Sequence, residues 1–221
     1  MPKKYLIIIL VLLVAGLGWY FYSTNLVVEV SDEEDVFPVA GQTPTQNDEQ
    51  AETPAIGEKE MVSTAKLVLS ALRTRDYQRL EELTSPSGLT LNLTPSLDLR
   101  TIHAGKDEVS ELKTNTETYL FGYTDGQGEP INMTTAQFID KWIYTHDYEK
   151  APQVGVNKIL GQGNSLNSII KDVTPREFVS FHYPGIDPQY EGMDWTTIYL
   201  IFDQTGGQYK LRAIAKDNWT I

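Results

Sequence analysis

The chain has no cysteine, only three histidines, and few bases: 18 Lys and Arg stand against 30 Asp and Glu in 221 residues, a net charge of −12. Without cysteine there is no disulfide, no thiolate–zinc site, no cysteine nucleophile and no cysteine to carry a lipid. His103, His146 and His182 are scattered, without metal-ligand spacing, so no zinc site is expected. The acidic balance lacks the basic footprint that nucleic-acid binding requires. No phosphate-cradling glycine loop is present: Gly161-Gln162-Gly163-Asn164 lacks the remaining glycine and the strand–helix context. Asp125-Gly126-Gln127-Gly128-Glu129 has two acids but no glutamate at the twelfth position, so it reads as a hairpin loop rather than a calcium loop. The sequence therefore implies no metal and no cofactor.

What is present begins at the start. Lys3 and Lys4 precede a run from Tyr5 to Val28 with no charged residue. Its densest part, Tyr5–Tyr22, is 18 residues long, close to the roughly 20 needed to cross a bilayer core. A cleaved signal peptide has a shorter apolar region and a small-x-small site, which Gly16-Leu17-Gly18 imitates. The cluster Trp19-Tyr20-Phe21-Tyr22 follows at once, and such aromatics belong to the membrane–water interface. The pattern thus favours an uncleaved anchor over residues 1–30. Bases before the span and acids after it (Glu29, Asp32, Glu33, Glu34, Asp35) put the amino terminus in the cytoplasm and the rest outside.

Residues 31–57 read as a disordered acidic linker. Over 31–60 there are nine acids and one base, 1 − 9 = −8, with Pro38, Pro44 and Pro54 interrupting any helix. Low hydrophobicity with high net charge cannot bury enough surface to offset chain entropy. From Met61 to Ile221 the balance is 15 bases and 20 acids, a net of −5, over a length normal for one domain with its own core.

Within residues 58–221 the order is helical first and β later. Val62, Leu67, Val68, Leu69, Ala71 and Leu72 recur at helical spacing and predict an amphipathic helix over 58–74. A second short helix would carry Tyr77, Leu80 and Leu83 on one face and end at Pro86 and Gly88. Residues 89–93 alternate as a strand should, and Thr118–Tyr123 is another candidate. Thr134 with Gln137 makes a capping box that starts a helix through about Tyr144, with Phe138, Ile139, Trp142 and Ile143 inward. Phe178–Tyr183, Trp195–Phe202 and Tyr209–Ala215 predict three strands, the last two a hairpin about Gly206-Gly207. Tyr209, Leu211, Ala213 and Ala215 alternate against Lys210, Arg212 and Lys216, which predicts an antiparallel sheet with one solvated face. Helices packed on one face of a bent antiparallel sheet make an α+β domain.

His182 is the weak candidate for an acid or base, set on a strand in phase with Phe178 and Ser180. A general base also needs a positioned partner, and none is evident, so a hydrogen-bonded strand histidine is the plainer reading. Asp187, Tyr190, Asp194 and Trp195, with Glu191, form a compact polar–aromatic loop between two strands. It reads either as a binding rim or as a turn shaped by Asp and Gly, with Tyr190 and Trp195 plugging the sheet end.

The two leading helices, the Asp76-Tyr77 step between them and the closing hairpin resemble the nuclear-transport-factor-2-like or cystatin-like architecture. Pro184-Gly-Ile-Asp-Pro-Gln-Tyr-Glu-Gly-Met-Asp-Trp195 and Asp217-Asn-Trp-Thr-Ile221 resemble the closing motifs of an uncharacterised family of bacterial cell-surface proteins, many of them lipoproteins or anchored proteins. Segments around Gly126-x-Gly128-Glu129-Pro130 and Gly155-x-Asn157 fit the same pattern. The resemblance implies location at the cell envelope and no particular activity. It also implies a His-Pro step where this chain has Ser85-Pro86, and a late histidine where it has Lys216. The expectation is a membrane-anchored extracytoplasmic binding domain, its partner a cell-envelope protein or a small ligand. The alternatives are an acid–base enzyme built on His182 or an accessory subunit of an envelope complex.

Overall fold

Helix α1 (Ile56–Thr74) exists because Met61, Ala65, Val68, Leu69 and Leu72 form one apolar stripe, all at most 2 % exposed. Leu67, expected on that stripe, lies outside it and is 45 % exposed. The chain turns at Arg75, whose φ of 55° is left-handed. Asp76 then caps α2 (Tyr77–Leu83), its carboxylate accepting the Arg79 N–H at 3.0 Å. Tyr77, Leu80 and Leu83 are buried as their spacing predicts.

These elements belong to a computed structural model that describes residues 56–95, 102–124, 126–161, 167–173 and 177–219. The anchor over 1–30 and nearly all of the 31–57 linker lie outside the described residues. Among the described residues no helix is long and apolar enough to cross a membrane.

Strands β1 (Leu89–Asn92) and β2 (Ile102–Ala104) follow, then the short α3 (Lys106–Val109). Strands β3 (Thr118–Tyr123) and β4 (Pro130–Thr134) pair with each other as a separate two-stranded sheet. The Thr134 capping box is present: Thr134 Oγ1 accepts the Gln137 N–H, and Gln137 Oε1 accepts the Thr134 N–H at 3.1 Å. It opens α4 (Thr135–Phe138), which passes into a π-helical turn, Ile139–Ile143. Phe138, Ile139 and Ile143 are fully buried, and Phe138 stacks on Phe121 of β3 at 3.8 Å between ring centres.

The main sheet has six strands in the order β2-β1-β8-β7-β6-β5, where β5 is Gln153–Val156, β6 Phe178–Tyr183, β7 Thr196–Thr205 and β8 Gln208–Asn218. A short helix α5 (Ile169–Asp172) precedes β6. Strands β7 and β8 form the expected hairpin, with Gly206 and Gly207 at φ 59° and 75° supplying the two left-handed positions of a tight turn. The sheet is mixed rather than antiparallel throughout, because β1 runs parallel to β8.

The alternation in β8 is broken. Ile201 pairs with Ala213 but Phe202 pairs with Leu211, so Arg212 is an unpaired bulge residue. Tyr209 and Leu211 therefore join the helix-side core, while Ala213 and Ala215 face the other way, among Ile169, Val173, Phe178, Tyr199 and Ile201. Both faces of the central strands are covered, which corrects the expectation of one solvated face. Lys216, placed there by simple alternation, is only 7 % exposed. The α+β class stands.

Candidate functional site

Where β6, β7 and β8 run beside one another near Tyr183, Thr196 and Asn218, polar side chains are buried on both faces of the sheet. Register puts His182, Thr197 and Asp217 in one row across the three strands, on the face away from α1. All three are at most 4 % exposed. His182 Nδ1 and Thr197 Oγ1 share a hydrogen bond of 2.8 Å. The His182 ring lies 5.8 Å from that of Trp195. A Cβ on Gly161 would stand 2.7 Å from His182 Cε1 and 2.9 Å from the Trp195 ring, so only glycine fits over them. Burial holds the imidazole below its ordinary pKa.

Asp217 continues this row. Asn167 donates through Nδ2 to Asp217 Oδ2 at 3.4 Å and to Tyr199 Oη at 3.1 Å. Among the described residues no cation pairs with Asp217, and burial raises its pKa to about 6, against the opposing hydrogen bonds from Asn218 N–H and Asn167. Burial, with the Asp217 charge second, pushes the Tyr199 phenol up to about 12.

On the helix side of the same strands, Lys216 donates through Nζ to Thr145 Oγ1 at 3.0 Å. Thr145 Oγ1 also lies 3.0 Å from His146 Nδ1 and 3.3 Å from Tyr148 Oη, and Tyr148 Oη is 2.9 Å from Thr196 Oγ1. The rings of Tyr183, Tyr148 and His146 stand about 6 Å apart, at 5.9 to 6.1 Å between centres. Tyr183 Oη donates to the Asp147 carbonyl at 2.8 Å.

The loop between β6 and β7 holds the remaining sequence-predicted residues. Asp194 is spent on backbone: its carboxylate accepts the Ile186 N–H at 3.1 Å and the Asp187 N–H at 2.7 Å. Those hydrogen bonds, the one from Asp187 first, hold its pKa low. Asp187 accepts the Gln189 N–H at 3.0 Å and the Gln189 side-chain amide at 2.7 Å, capping the 3-10 turn Pro188–Tyr190. Glu191 and Gly192 then take left-handed φ values of 51° and 84°. Trp195 is 7 % exposed and plugs the sheet end, whereas Tyr190 is 50 % exposed. Ile186 and Met193 are exposed too, at 45 % and 48 %, and Trp219, whose N–H donates to the Trp195 carbonyl, at 39 %.

The structure therefore separates the predicted residues. His182 and Trp195 touch within the sheet, Asp187 and Asp194 shape the loop, and Tyr190 faces solvent. Thr197, Tyr199 and Asn167 around His182, and Thr145 and Tyr148 behind it, carried no motif, whereas Asp217 opens the closing Asp217–Ile221 motif and Lys216 stands where the resemblance implies a histidine. A further signal was Lys216-Asp217 directly after the apolar Ala213-Ile214-Ala215. A half-open groove of about 480 Å³ lies at the hairpin end, lined by Glu177, Phe202, Asp203 and Arg212 among others, and none of the predicted residues lines it. There Arg212 Nε lies 3.3 Å from Asp203 Oδ1, an ion pair without hydrogen-bond alignment. Among the described residues no cluster of His, Asp or Glu is arranged to hold a metal.

No protein-family model matches the chain, and no curated protein matches it. One solved chain, titled as a variant of Rd1NTF2_05 carrying five substitutions, is 10 % identical and covers 73 % of this chain and 98 % of its own length. Its TM-score is 0.30, so that likeness carries no argument.

Proposed function

We propose that the chain is a membrane-anchored extracytoplasmic interaction domain, non-enzymatic, whose β6–β7 loop docks a protein of the cell envelope. One observation carries the docking part. The loop is rigidly braced, with the Asp194 and Asp187 carboxylates both committed to its backbone, yet it presents Ile186, Tyr190 and Met193 to solvent. A braced loop with exposed large apolar groups costs little further ordering on binding, and aromatic anchors supply much of the energy at such contacts. The anchor and location rest on the apolar run Tyr5–Val28 and its flanking charges. The acidic linker acts as a spacer with a reach of roughly 30 Å. The helix pair packed against a sheet whose last strand carries a bulge at Arg212 supports the nuclear-transport-factor-2-like or cystatin-like reading of the domain.

The acid–base reading has less support. His182 is buried, its Nδ1 engages a hydroxyl, and among the described residues no carboxylate hydrogen-bonds to it.

The test is site-specific photo-crosslinking in cells from position 190, with Leu67, an equally exposed apolar residue on α1, as control. A defined protein adduct from 190 that is absent from 67, and is lost in Met193→Ser with an unchanged thermal midpoint, supports docking. Equal adducts from both positions, or none from 190, sink it.

A further inference from the structure

Lys216 lies opposite Ile198 in the helix-side face of the sheet, and its side chain is buried save for 7 %. Among the described residues it forms no ion pair. Buried charges in proteins are paired, metal-bound or neutralised, because leaving water uncompensated costs several kcal/mol. Burial lowers the Lys216 amine to about 8, which still leaves it mostly an ammonium at neutral pH. Of its three donors, one is used among the described residues, on the Thr145 hydroxyl. Thr145 itself is exposed, so the ammonium lies one side chain beneath the surface.

The neighbouring groups leave that charge unmatched. The His146 imidazole, 3.0 Å from Thr145 Oγ1, is held below its ordinary pKa by burial first and by the Lys216 charge second. Asp194 acts on His146 in the opposite sense, but its own oxygens already accept the Ile186 and Asp187 N–H groups. Thr145 and His146 are delivered to this spot by the π turn Ile139–Ile143, closed by the Tyr144 N–H on the Ile139 carbonyl at 2.8 Å. Such turns occur frequently at functional sites. Tyr148 and Tyr183 supply apolar ring surface beside the imidazole.

We propose that Lys216, Thr145 and His146 form a binding site for a small monocarboxylate, whose carboxylate pairs with the Lys216 ammonium and whose body packs on the Tyr183 and His146 rings. One charge on the protein matches one charge on the ligand. A phosphate dianion would leave a negative charge buried without a partner. This site is independent of the docking loop and stands or falls apart from it.

The experiment is thermal unfolding of the full-length chain at neutral pH with acetate or benzoate, against chloride and phosphate at equal ionic strength. Saturable stabilisation by the carboxylates, stronger for benzoate and absent with chloride, is expected. Lys216→Met should weaken it at least about tenfold, and His146→Gln should weaken it less. Failure of both carboxylates to stabilise, an undiminished effect in Lys216→Met, or equal stabilisation by phosphate overturns the proposal. Should Lys216→Met fail to fold, the wild-type chain is labelled with an amine-acylating reagent and the modified lysines are located by mass spectrometry. Protection of Lys216 by benzoate but not chloride supports the site, and unchanged labelling overturns it.

Discussion

Replacing Asp217 with Asn should stabilise the domain, and the gain should depend on pH. Asp217 is 2 % exposed, and its pKa is raised to about 6 chiefly by burial. In the unfolded chain an aspartate titrates near 3.9. Between those values the folded state holds more protons, so the group's contribution is favourable at low pH and is lost as pH rises through 6. Each unit of difference is worth 1.36 kcal/mol, so a gap of about two units costs the folded protein about 3 kcal/mol at pH 7.5. Asparagine never ionises, and its carbonyl can still accept from Asn167 Nδ2. The variant should therefore gain about 3 kcal/mol at pH 7.5, about half of that at pH 5 and about 0.5 kcal/mol at pH 4. Urea unfolding of both chains across that range measures it. The difference between the two removes the separate trends of Lys216 and His182, whose lowered values act in the other direction. A gain that is constant with pH, or a loss at pH 7.5, would refute the claim that a buried charge is the cause.

Two further outcomes test the packing around the same strands. Gly161→Ala places a methyl against two buried rings at 2.7 and 2.9 Å and should cost about 1–3 kcal/mol, read as a fall in thermal midpoint. Asp194→Ala removes the acceptor of the Ile186 and Asp187 N–H groups; it should speed amide exchange at those two residues, and unchanged exchange would show that the carboxylate does not brace the loop.

Much of the framework was readable from local rules. Met61 to Leu72 announces α1 by its period, Thr134 and Gln137 announce the capped helix, and Gly206-Gly207 announces the hairpin; each depends on residues close in sequence. What was not readable depends on distant residues. No local pattern shows that β1 pairs parallel to β8, or that Ile159, Ile169 and Ile170 lie over the far face of the sheet. Strands β4 and β5 are short, and each carries a residue that strands disfavour, Pro130 in one and Gly155 in the other. The candidate site was half legible. His182 and Trp195 stood out by residue type, whereas Lys216 and Asp217 look in sequence like surface residues, since charge at a strand end normally means exposure.

The extra residue at Arg212 acts as a phase shift in the β8 inside–outside rhythm. Before it, odd-numbered positions face the helices; after it, even-numbered positions do. Deleting that single residue while keeping the β7–β8 turn would leave the composition of the strand almost untouched. It would make Leu211 and Ala213 neighbours opposite Phe202 and Ile201 in a regular ladder, so Lys216 and Asp217 would keep the faces they hold now. Arg212 is thus an insertion that the rest of the strand absorbs without changing which side chains face which layer.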